Sequence, residues 1–318
     1  MALIDVIIPT YNYGKFLRGC LGSVVGQTIS DVAVFVIDDG SNDNTHEIVS
    51  EYGSRYANVH YFFQNNKGLP AARNTGIRLG VSPFVAFLDS DDLWMPQKLE
   101  ETLNPFLIKP SLGVVYSLVE LVDESGNQIR PARPFIPVRG NVYRQLVMKN
   151  HIVGSASSVL LRRECLERVG YFDESLPSCE DWDLWLRISR YFPFEYVAEP
   201  LVKIRIHQGN MHKDTERMVK GKLAVINKAL SMSMSEDSPL KTTILANVFI
   251  TVSHHYMERG VHNKSVRFAI KALFQKPFFA IRHPSFVELI RMFLRDTFSS
   301  MKERLKRLAR TLIFMGPK

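Results

Sequence analysis

Short apolar runs alternate with amphipathic stretches through the first hundred residues of the chain. The runs occupy residues 6–8, 32–37, 59–63 and 84–88. Between them, apolar side chains recur at the 3.6-residue spacing of a helix, which predicts alternating strands and helices and therefore a parallel sheet. The runs are continuous, as is typical of strands buried on both faces. In an open sheet of this kind, ligands bind beyond the carboxyl ends of the strands.

The pattern changes after these four strands. Strand-like and helical segments continue, more loosely, to a last strand near residues 196–206, and from about residue 215 only helical patterns occur. A chain of 318 residues is long enough for one large domain and an appendage. We therefore predict an α/β domain over residues 1–214, a helical extension over 215–285 and a tail over 286–318.

The sequence also indicates where the protein works. No cationic leader with a cleavage site precedes the first apolar run, and no run approaches the roughly eighteen apolar residues of a membrane-spanning helix. We expect a cytoplasmic protein that does not span a bilayer. The three cysteines, Cys20, Cys165 and Cys179, have neither metal-ligand spacing nor the even number of a disulfide framework, so we expect reduced thiols.

The predicted tail is basic and amphipathic. The net charge of the chain is +8, and residues 282–318 hold nine Lys or Arg against three Asp or Glu. Apolar residues recur there at alternating steps of four and three: Leu294, Phe298, Met301, Leu305, Leu308, Leu312 and Met315. Such a helix suits the anionic inner face of the cell membrane, and it equally suits packing in a dimer or against the rest of the chain. No nucleic-acid reader motif accompanies the charge, so nucleic acid is not an expected partner.

Three carboxylates, Asp89, Asp91 and Asp92, follow the fourth apolar run. Such a cluster repels itself, so it needs a cation. Asp89 and Asp91 are two residues apart at a strand end, which lets both side chains aim at one point, as a hard divalent ion requires. The alternative for an Asp-x-Asp pair taken alone is an acidic turn on a solvated surface.

Polar loops also follow the first two strands. Residues 9–12 read Pro-Thr-Tyr-Asn, and residues 38–43 read Asp-Asp-Gly-Ser-Asn-Asp. Both loops fall where a ligand would bind. The second loop is equally explained as a turn in which Ser41 or Asp43 caps a helix and Gly40 supplies an unusual backbone angle.

A third polar loop follows the third strand and leads through Gly68 into a helix. Pro70 suits the first turn of that helix, and Arg73 lies one turn in. Arg73 is either a phosphate ligand or an ordinary surface arginine, and the sequence leaves both interpretations open.

The second acidic group lies at residues 180–181, where Glu180 and Asp181 begin a predicted helix. Leu184 and Trp185 follow Asp181 by three and four residues, which would put Asp181 on the inner face of the helix. Asp181 is then either a general base or a carboxylate that stabilises a helix N-terminus. His207 ends the strand at 203–206 and is either an ordinary histidine or a group that reaches a metal or a diphosphate.

Taken together, these segments resemble the inverting family 2 glycosyltransferases of the GT-A fold. The resemblance covers roughly residues 3–210 and rests on the order and spacing of segments 6–12, 38–41, 68–74, 89–92, 180–181 and 205–207. It implies an α/β GT-A nucleotide-diphospho-sugar transferase fold, Rossmann-like with a mostly parallel sheet, followed by a C-terminal all-helical extension about which the resemblance says little.

The resemblance also implies roles for individual residues. Pro9, Tyr11 and Asp39 would hold the nucleotide base. Asp89 and Asp91 would engage the ribose and the metal–diphosphate group. The other expected nucleotide-sugar-binding residues are Gly68, Arg73, Ser90 and Glu180.

The chemistry implied is a metal-assisted transfer with inversion. Asp181 would act as general base on an acceptor hydroxyl, while Mg²⁺ or Mn²⁺, held by Asp91 and His207, would stabilise the charge on the leaving diphosphate. One base without a second, nucleophilic carboxylate implies a β-linkage from an α-linked donor. The chain lacks the Gln-x-x-Arg-Trp sequence associated with processive polysaccharide synthases in this family, so a single-sugar transfer is expected.

The substrates and the oligomeric state are less closely defined. We expect a nucleotide-diphosphate sugar, with UDP favoured, and a glycan or lipid-linked glycan acceptor in cell-surface polysaccharide synthesis; a homo-oligomer is left open. Two other classes compete. A nucleotidyltransferase would need a Gly-rich, lysine-bearing loop that residues 11–15 match poorly, and a non-catalytic nucleotide-sugar-binding or scaffold protein at the membrane surface would need no base.

Overall fold

The computed structural model describes residues 2–129, 135–210, 213–233 and 238–295. The strands are β1 (Ile4–Thr10), β2 (Val32–Asp38), β3 (Val59–Phe63), β4 (Phe84–Phe87), β5 (Leu93–Trp94), β6 (Val114–Val122), β7 (Gln128–Ile129), β8 (Val159–Arg162) and β9 (Phe194–Arg205). The helices are α1 (Gly14–Val25), α2 (Thr45–Arg55), α3 (Leu69–Leu79), α4 (Lys98–Ile108), α5 (Tyr143–Met148), α6 (Arg163–Val169), α7 (Glu180–Ile188), α8 (Thr215–Ser233), α9 (Pro239–Glu258), α10 (His262–Gln275) and α11 (Pro277–Arg282).

The strands form one mixed, mostly parallel sheet in the order β3-β2-β1-β4-β8-β6-β9-β5, with β7 paired to β6. β1, β2, β3 and β4 run parallel to one another, as the alternation of runs and helices predicts, and β6 runs parallel to β9. β8 is antiparallel to its neighbours β4 and β6, and β5 is antiparallel to β9. Because β1 lies between β2 and β4, the loops that follow these three strands meet at one edge of the sheet.

The central strand shows why its apolar run is continuous. Every residue of β1 is buried. Ile4, Val6 and Ile8 belong to the hydrophobic core that also contains the apolar face of α1. Ile7 points to the other face of the sheet, where it meets Gly76 of α3. Helices therefore cover both faces of this strand, and its buried carboxylate, Asp5, is compensated by Ser82 and Arg163.

The close contact between α3 and β1 yields a stability prediction. A Cβ added at Gly76 would lie 2.4 Å from Ile7 Cγ2, in a part of the core where Ile7 is fully buried. We expect Gly76→Ala to lower the free energy of unfolding by about 1–3 kcal/mol through overpacking, even though alanine favours a helix. Urea denaturation followed by circular dichroism measures the change.

Gly53 of α2 provides the matched control. A Cβ there would lie 3.5 Å from its nearest neighbour, an ordinary contact. Gly53→Ala is expected to be neutral or to stabilise the protein by up to about 1 kcal/mol. Equal effects of the two substitutions would contradict the steric explanation.

The chain divides into two compact units, Met1–Val225 and Ile226–Lys318, so the division falls within α8. The second unit contains a core drawn from α9, α10, α11 and residues 284–295, formed by Ile250, Met257, Ala269, Ala272, Ala280, Phe286 and Leu289. The ranges 1–214, 215–285 and 286–318 stay predictions, and the part of the predicted tail from residue 296 onward lies outside the described residues. Within the described ranges, no helix combines the length and apolar character needed to cross a bilayer.

Candidate active site

The loops after β1 and β2 hold each other in place. The Asn12 N–H donates to Ser41 Oγ at 2.9 Å, and Asn12 Oδ1 accepts from the Asn42 N–H at 2.8 Å. Asp38 Oδ1 accepts from the Ser41 N–H at 2.8 Å and closes the turn in which Gly40 has a φ of +89°. Ser41 therefore joins the two loops, and glycine suits the left-handed backbone between them.

Asp39 connects the loop after β2 to the start of α3. Its Oδ1 accepts from the Lys67 N–H at 2.9 Å and from Gln64 Nε2 at 2.7 Å, and its Oδ2 accepts from the Gly68 N–H at 2.8 Å. A carboxylate offers about four lone-pair sites, so one remains for a ligand. Gly68 itself has a φ of +90°, a backbone angle that glycine adopts without strain.

Pro9 and Tyr11 are the other residues predicted at the nucleotide base. Pro9 is buried in β1 opposite Ile37 of β2, while Tyr11 is about half exposed in the loop that follows. Tyr11 therefore presents an aromatic ring on which a base could stack. Pro9 can act only through the shape it gives to the strand end.

The acidic turn after β4 is held by Ser157. Its Oγ accepts from the Asp89 N–H at 3.0 Å and donates to Asp92 Oδ2 at 2.8 Å. Asp92 Oδ1 accepts from the N–H of the last residue of β9 at 3.1 Å, and burial raises the pKa of this carboxyl well above its usual range. Ser90 is buried as well, so Asp89 and Asp91 are the two side chains of the turn that remain partly exposed.

Arg73 is completely buried on α3 and brings two distant carboxylates together. Its Nη1 donates to Glu180 Oε1 at 2.6 Å, and its Nη2 donates to Asp89 Oδ1 at 2.7 Å and to Ser155 Oγ at 3.2 Å. The guanidinium also lies 5.3 Å from the ring centroid of Phe172. The surface-arginine alternative is therefore wrong, while a contact of Arg73 or Glu180 with the nucleotide-sugar stays a prediction.

Asp181 lies in the first turn of α7, next to this ion-paired group. Its Oδ1 accepts from the Trp182 N–H at 2.7 Å. Burial, and secondarily the charge of Glu180, raises the pKa of Asp181 to about 7, although Arg73 acts in the opposite direction. A pKa near neutrality is compatible with a general base, and this role of Asp181 stays a prediction.

His207 follows β9 and faces Asp91. Its Nε2 lies 2.9 Å from Asp91 Oδ2, and its Nδ1 accepts from the Gly209 N–H at 3.1 Å. Because Nδ1 accepts, the proton of the neutral ring is on Nε2 and is donated to Asp91. Asn210 Nδ2 donates to the same Asp91 oxygen at 3.1 Å, and Tyr13 Oη donates to the Gly209 carbonyl at 3.1 Å. These contacts fasten the loop after β9 to the acidic turn.

Asp91 and His207 are the predicted metal ligands, and carboxylate and imidazole are ligand types that divalent ions accept. Their facing atoms are joined by a hydrogen bond of 2.9 Å, which a metal ion would have to replace, so the assignment stays a prediction. His207 Nε2 can bind a metal only after it loses its proton, which requires the Gly209 N–H to turn away from Nδ1. The described residues contain no group of three or more His, Cys, Asp or Glu side chains placed to hold a metal ion. Binding through one or two protein ligands plus phosphate oxygens is usual for Mg²⁺.

Backbone strain concentrates around the site. In the part of the chain that the structure describes, three non-glycine residues have a left-handed backbone: Asn12 (φ +56°), Ser155 (φ +52°) and Cys179 (φ +62°). Each such residue costs on the order of 1 kcal/mol. Ser155 binds Arg73, and Cys179 immediately precedes Glu180. The strained positions therefore coincide with the connections that assemble the site.

Four residues that hold the site together were not predicted from the sequence: Tyr13, Ser155, Ser157 and Asn210. Serine, tyrosine and asparagine are common in loops, and none of these four belongs to a charged cluster. The run of small residues at 154–158, next to a strand that proves to be buried, is the one hint the sequence offers for the two serines.

A mostly parallel sheet that gathers carboxylates and a polar loop at its strand ends is an arrangement in which α/β proteins bind nucleotides. The family model described as glycosyl transferase family 2 matches residues 5–170, just over half of the chain. The chain belongs to glycosyl transferase family 2, and the resemblance found in its motifs is confirmed.

Curated relatives agree with this membership. An uncharacterized glycosyltransferase of Rickettsia conorii is 32% identical over 213 residues, which cover 64% of this chain and 34% of the relative. The chondroitin synthase of Escherichia coli is 29% identical over 230 residues, which cover 72% of this chain and 33% of the relative. The chain thus spans about a third of the length of these relatives.

Solved structures confirm the predicted fold. The mannosyltransferase PcManGT from Pyrobaculum calidifontis, in complex with GDP-Man and Mn²⁺, is similar with a TM-score of 0.60 at 18% identity, covering 93% of this chain and 87% of that chain. Residues 1–349 of S. aureus TarS, in complex with UDP-GlcNAc, are similar with a TM-score of 0.57 at 17% identity, covering 87% and 92%. The GT-A architecture with helices after the sheet domain is therefore confirmed.

Proposed function

We propose that the protein transfers a single sugar from a nucleotide-diphosphate sugar to a hydroxyl of a glycan or lipid-linked glycan, with inversion at the anomeric carbon. The observation that carries the proposal is the carboxyl of Asp181, whose pKa of about 7 is set by burial next to the ion-paired Arg73 and Glu180. Membership of glycosyl transferase family 2 supports the reaction class.

In the proposed reaction, Asp181 takes the proton of the acceptor hydroxyl while that oxygen attacks the anomeric carbon opposite the leaving diphosphate. A single displacement of this kind inverts the anomeric configuration and needs no covalent sugar intermediate. Glu180 is held by Arg73 at 2.6 Å, so its charge is already paired and Asp181 is the carboxyl available as base. Asp89 shares the same guanidinium, which orients it for the donor.

The proposal includes a divalent ion. Asp91 would hold it, joined by His207 once Nε2 has lost its proton, and the bound ion would neutralise charge on the leaving diphosphate. The facing positions of Asp91 and His207 support this assignment, as does the Mn²⁺ in the complex of PcManGT. Mg²⁺ would serve equally well with a carboxylate and phosphate oxygens.

The deciding experiment is a donor screen. UDP-, GDP- and dTDP-sugars would each be incubated with the protein and Mn²⁺, and release of the nucleoside diphosphate measured by chromatography. We expect one nucleotide class, with UDP favoured, to be hydrolysed slowly and EDTA to stop the release. Calorimetric binding of a donor without any turnover, alone or with glycan acceptors, would instead favour the non-catalytic binding or scaffold protein.

A pH profile tests the assignment of the base. Because burial raises the pKa of Asp181 to about 7, the carboxyl is protonated and inactive below that pH and ionised above it. We expect kcat/KM for transfer to rise through pH 7 and then level off. The groups that act on this carboxyl are Glu180, Arg73 and Asp89. A rate that stays constant between pH 5.5 and about 8.5 would contradict a general base of this pKa.

The proposed acceptor determines the proposed location. A lipid-linked glycan for cell-surface polysaccharide would be met at the cytoplasmic face of the cell membrane by a peripheral protein. The basic character of residues 282–318 supports this location, and the chondroitin synthase among the relatives supports a polysaccharide role. Whether the protein acts as a homo-oligomer is decided by sedimentation velocity.

A further inference from the structure

Two helices of the second unit expose a row of large apolar side chains. Val266, Ile270 and Phe274 recur at four-residue spacing on α10 and therefore share one face. Phe274 is 84% exposed, and Phe278, at the start of α11, is 80% exposed. The name α10–α11 stripe is used below for five exposed residues: Val266, Ile270, Phe274, Phe278 and Ile281.

The opposite faces of the same helices are already used. Ala269 and Ala272 of α10 and Ala280 of α11 are buried in the core of the second unit. Leu273 and Phe279 pack, partly buried, against the same core. The two helices thus have apolar side chains on the exposed face in addition to those that their own core uses. An exposed apolar row of this kind marks an interaction surface.

The charge around the stripe has a single sign. Between Glu258 and Glu288 the chain contains no Asp or Glu and six Lys or Arg: Arg259, Lys264, Arg267, Lys271, Lys276 and Arg282. Arg267, Lys271 and Arg282 are exposed. Lys271 Nζ lies 4.9 Å from the ring centroid of Phe268, so this ammonium group stays close to the helix surface. Apolar side chains and cations thus lie side by side on the exposed part of α10.

We propose that the α10–α11 stripe docks on an anionic phospholipid surface. The apolar side chains would enter the boundary between headgroups and acyl chains, and the flanking cations would contact lipid phosphates. Charge complementarity favours lipid over a second copy of this chain. Two copies joined through the stripe would bring together the six cations of each copy without any carboxylate from residues 259–287 to compensate.

Vesicle sedimentation with the full chain tests the proposal. Vesicles would consist of phosphatidylcholine alone or mixed with phosphatidylserine. We expect binding to the mixed vesicles, little binding to the neutral ones, and loss of binding at high salt. Phe274→Ser combined with Phe278→Ser is expected to weaken binding at least about tenfold. Arg267→Gln combined with Arg282→Gln is expected to weaken it by about 25-fold, which is about fivefold for each cation.

Matched controls come from the first unit. Leu107→Ser with Ile108→Ser removes two apolar side chains that are 71% and 86% exposed, and Lys109→Gln with Arg190→Gln removes two exposed cations. Both control pairs are expected to bind vesicles like the wild type. Circular dichroism melting would establish that all variants fold, and donor hydrolysis should be unchanged in every one of them.

Three outcomes would overturn the proposal. Unchanged vesicle binding by both stripe variants would assign membrane binding to another segment, such as residues 296–318, which all variants retain. Equal binding to neutral and anionic vesicles would remove the role of the cations. A dimer seen by sedimentation velocity that disappears in the Phe274 and Phe278 variant, with no vesicle binding by the wild type, would identify the stripe as a contact between copies.

Discussion

Replacing Asp181 by asparagine is expected to lower the rate of sugar transfer by about 10²-fold or more, because asparagine cannot accept the proton of the acceptor hydroxyl. The substitution keeps the size of the side chain and its oxygen, which accepts from the Trp182 N–H. Donor affinity should therefore remain near that of the wild type. The measurements are steady-state transfer kinetics and calorimetric titration of the nucleotide.

Stability provides an independent readout for the same variant. The folded-state pKa of Asp181, about 7, lies above the value of about 3.9 for a free aspartate. The protonated Asp181 carboxyl therefore contributes to stability below about pH 4, and this contribution is lost as the pH rises through 7. At pH 8 the folded protein holds a desolvated carboxylate, and asparagine removes that charge. The melting temperature of Asp181→Asn at pH 8 should therefore equal or exceed that of the wild type.

Asp31→Asn is the control for this experiment. Asp31 is an exposed carboxylate before β2, and its loss should change neither rate nor melting temperature. A transfer rate of Asp181→Asn close to that of the wild type would reduce Asp181 to a helix-terminal acid. A large loss of stability at pH 8 would mean that the ionised carboxylate is needed for folding.

Replacing Asp91 by alanine is expected to weaken metal-dependent nucleotide binding by about 10²-fold. Loss of a residue that merely holds a metal ligand in place typically weakens metal binding by about 10- to 100-fold, and loss of the ligand itself should cost at least as much. Arg73 pairs with Asp89 but not with Asp91, and burial together with the charge of Asp89 raises the pKa of Asp91, so a cation bound at Asp91 would be favoured. Titration of UDP in the presence of Mn²⁺ measures the effect. EDTA should weaken binding by the wild type to the level of the variant.

Comparison with the metal-free titration isolates the role of the ion. In EDTA, the wild type and Asp91→Ala should bind UDP with similar affinity, because the contacts proposed for the base and the ribose do not involve Asp91. Asp31→Ala should behave like the wild type with and without metal. If Mn²⁺ strengthens nucleotide binding equally in the wild type and in Asp91→Ala, Asp91 does not hold the ion.

The strand alternation of the first hundred residues was predictable because each strand there is a continuous apolar run next to a helical pattern. β1 through β4 appear in those positions, and Pro70 falls in the first turn of α3. The antiparallel β8 between β4 and β6 was not predictable, since its direction depends on pairing with residues far away in sequence. β5 contains two residues, too few to show any periodicity.

In the candidate site too, features set by neighbouring residues were predictable from the sequence, whereas contacts between residues far apart in the sequence were not. Carboxylates at the ends of predicted strands come to one edge of the sheet by a general rule, so Asp39, Asp89 and Asp91 could be grouped from sequence. The partners of Arg73 could not, because Glu180 is 107 residues away and the contact depends on how α7 packs. Burial likewise sets the pKa of Asp181, and no local pattern encodes burial of that kind.

The ion pairs of Arg73 also bear on which fragment of the chain can assemble a working pocket. A protein that stops near residue 170, where the family match ends, would contain β1 to β4 and the residues predicted to hold the nucleotide base. It would keep Asp89 as the counter-charge of Arg73 but lack Glu180, which accepts from Nη1 of this completely buried guanidinium. A buried donor left without its partner destabilises the fold. The smallest autonomous catalytic fragment must therefore extend through α7, and reach His207 to include the loop that fastens Asp91.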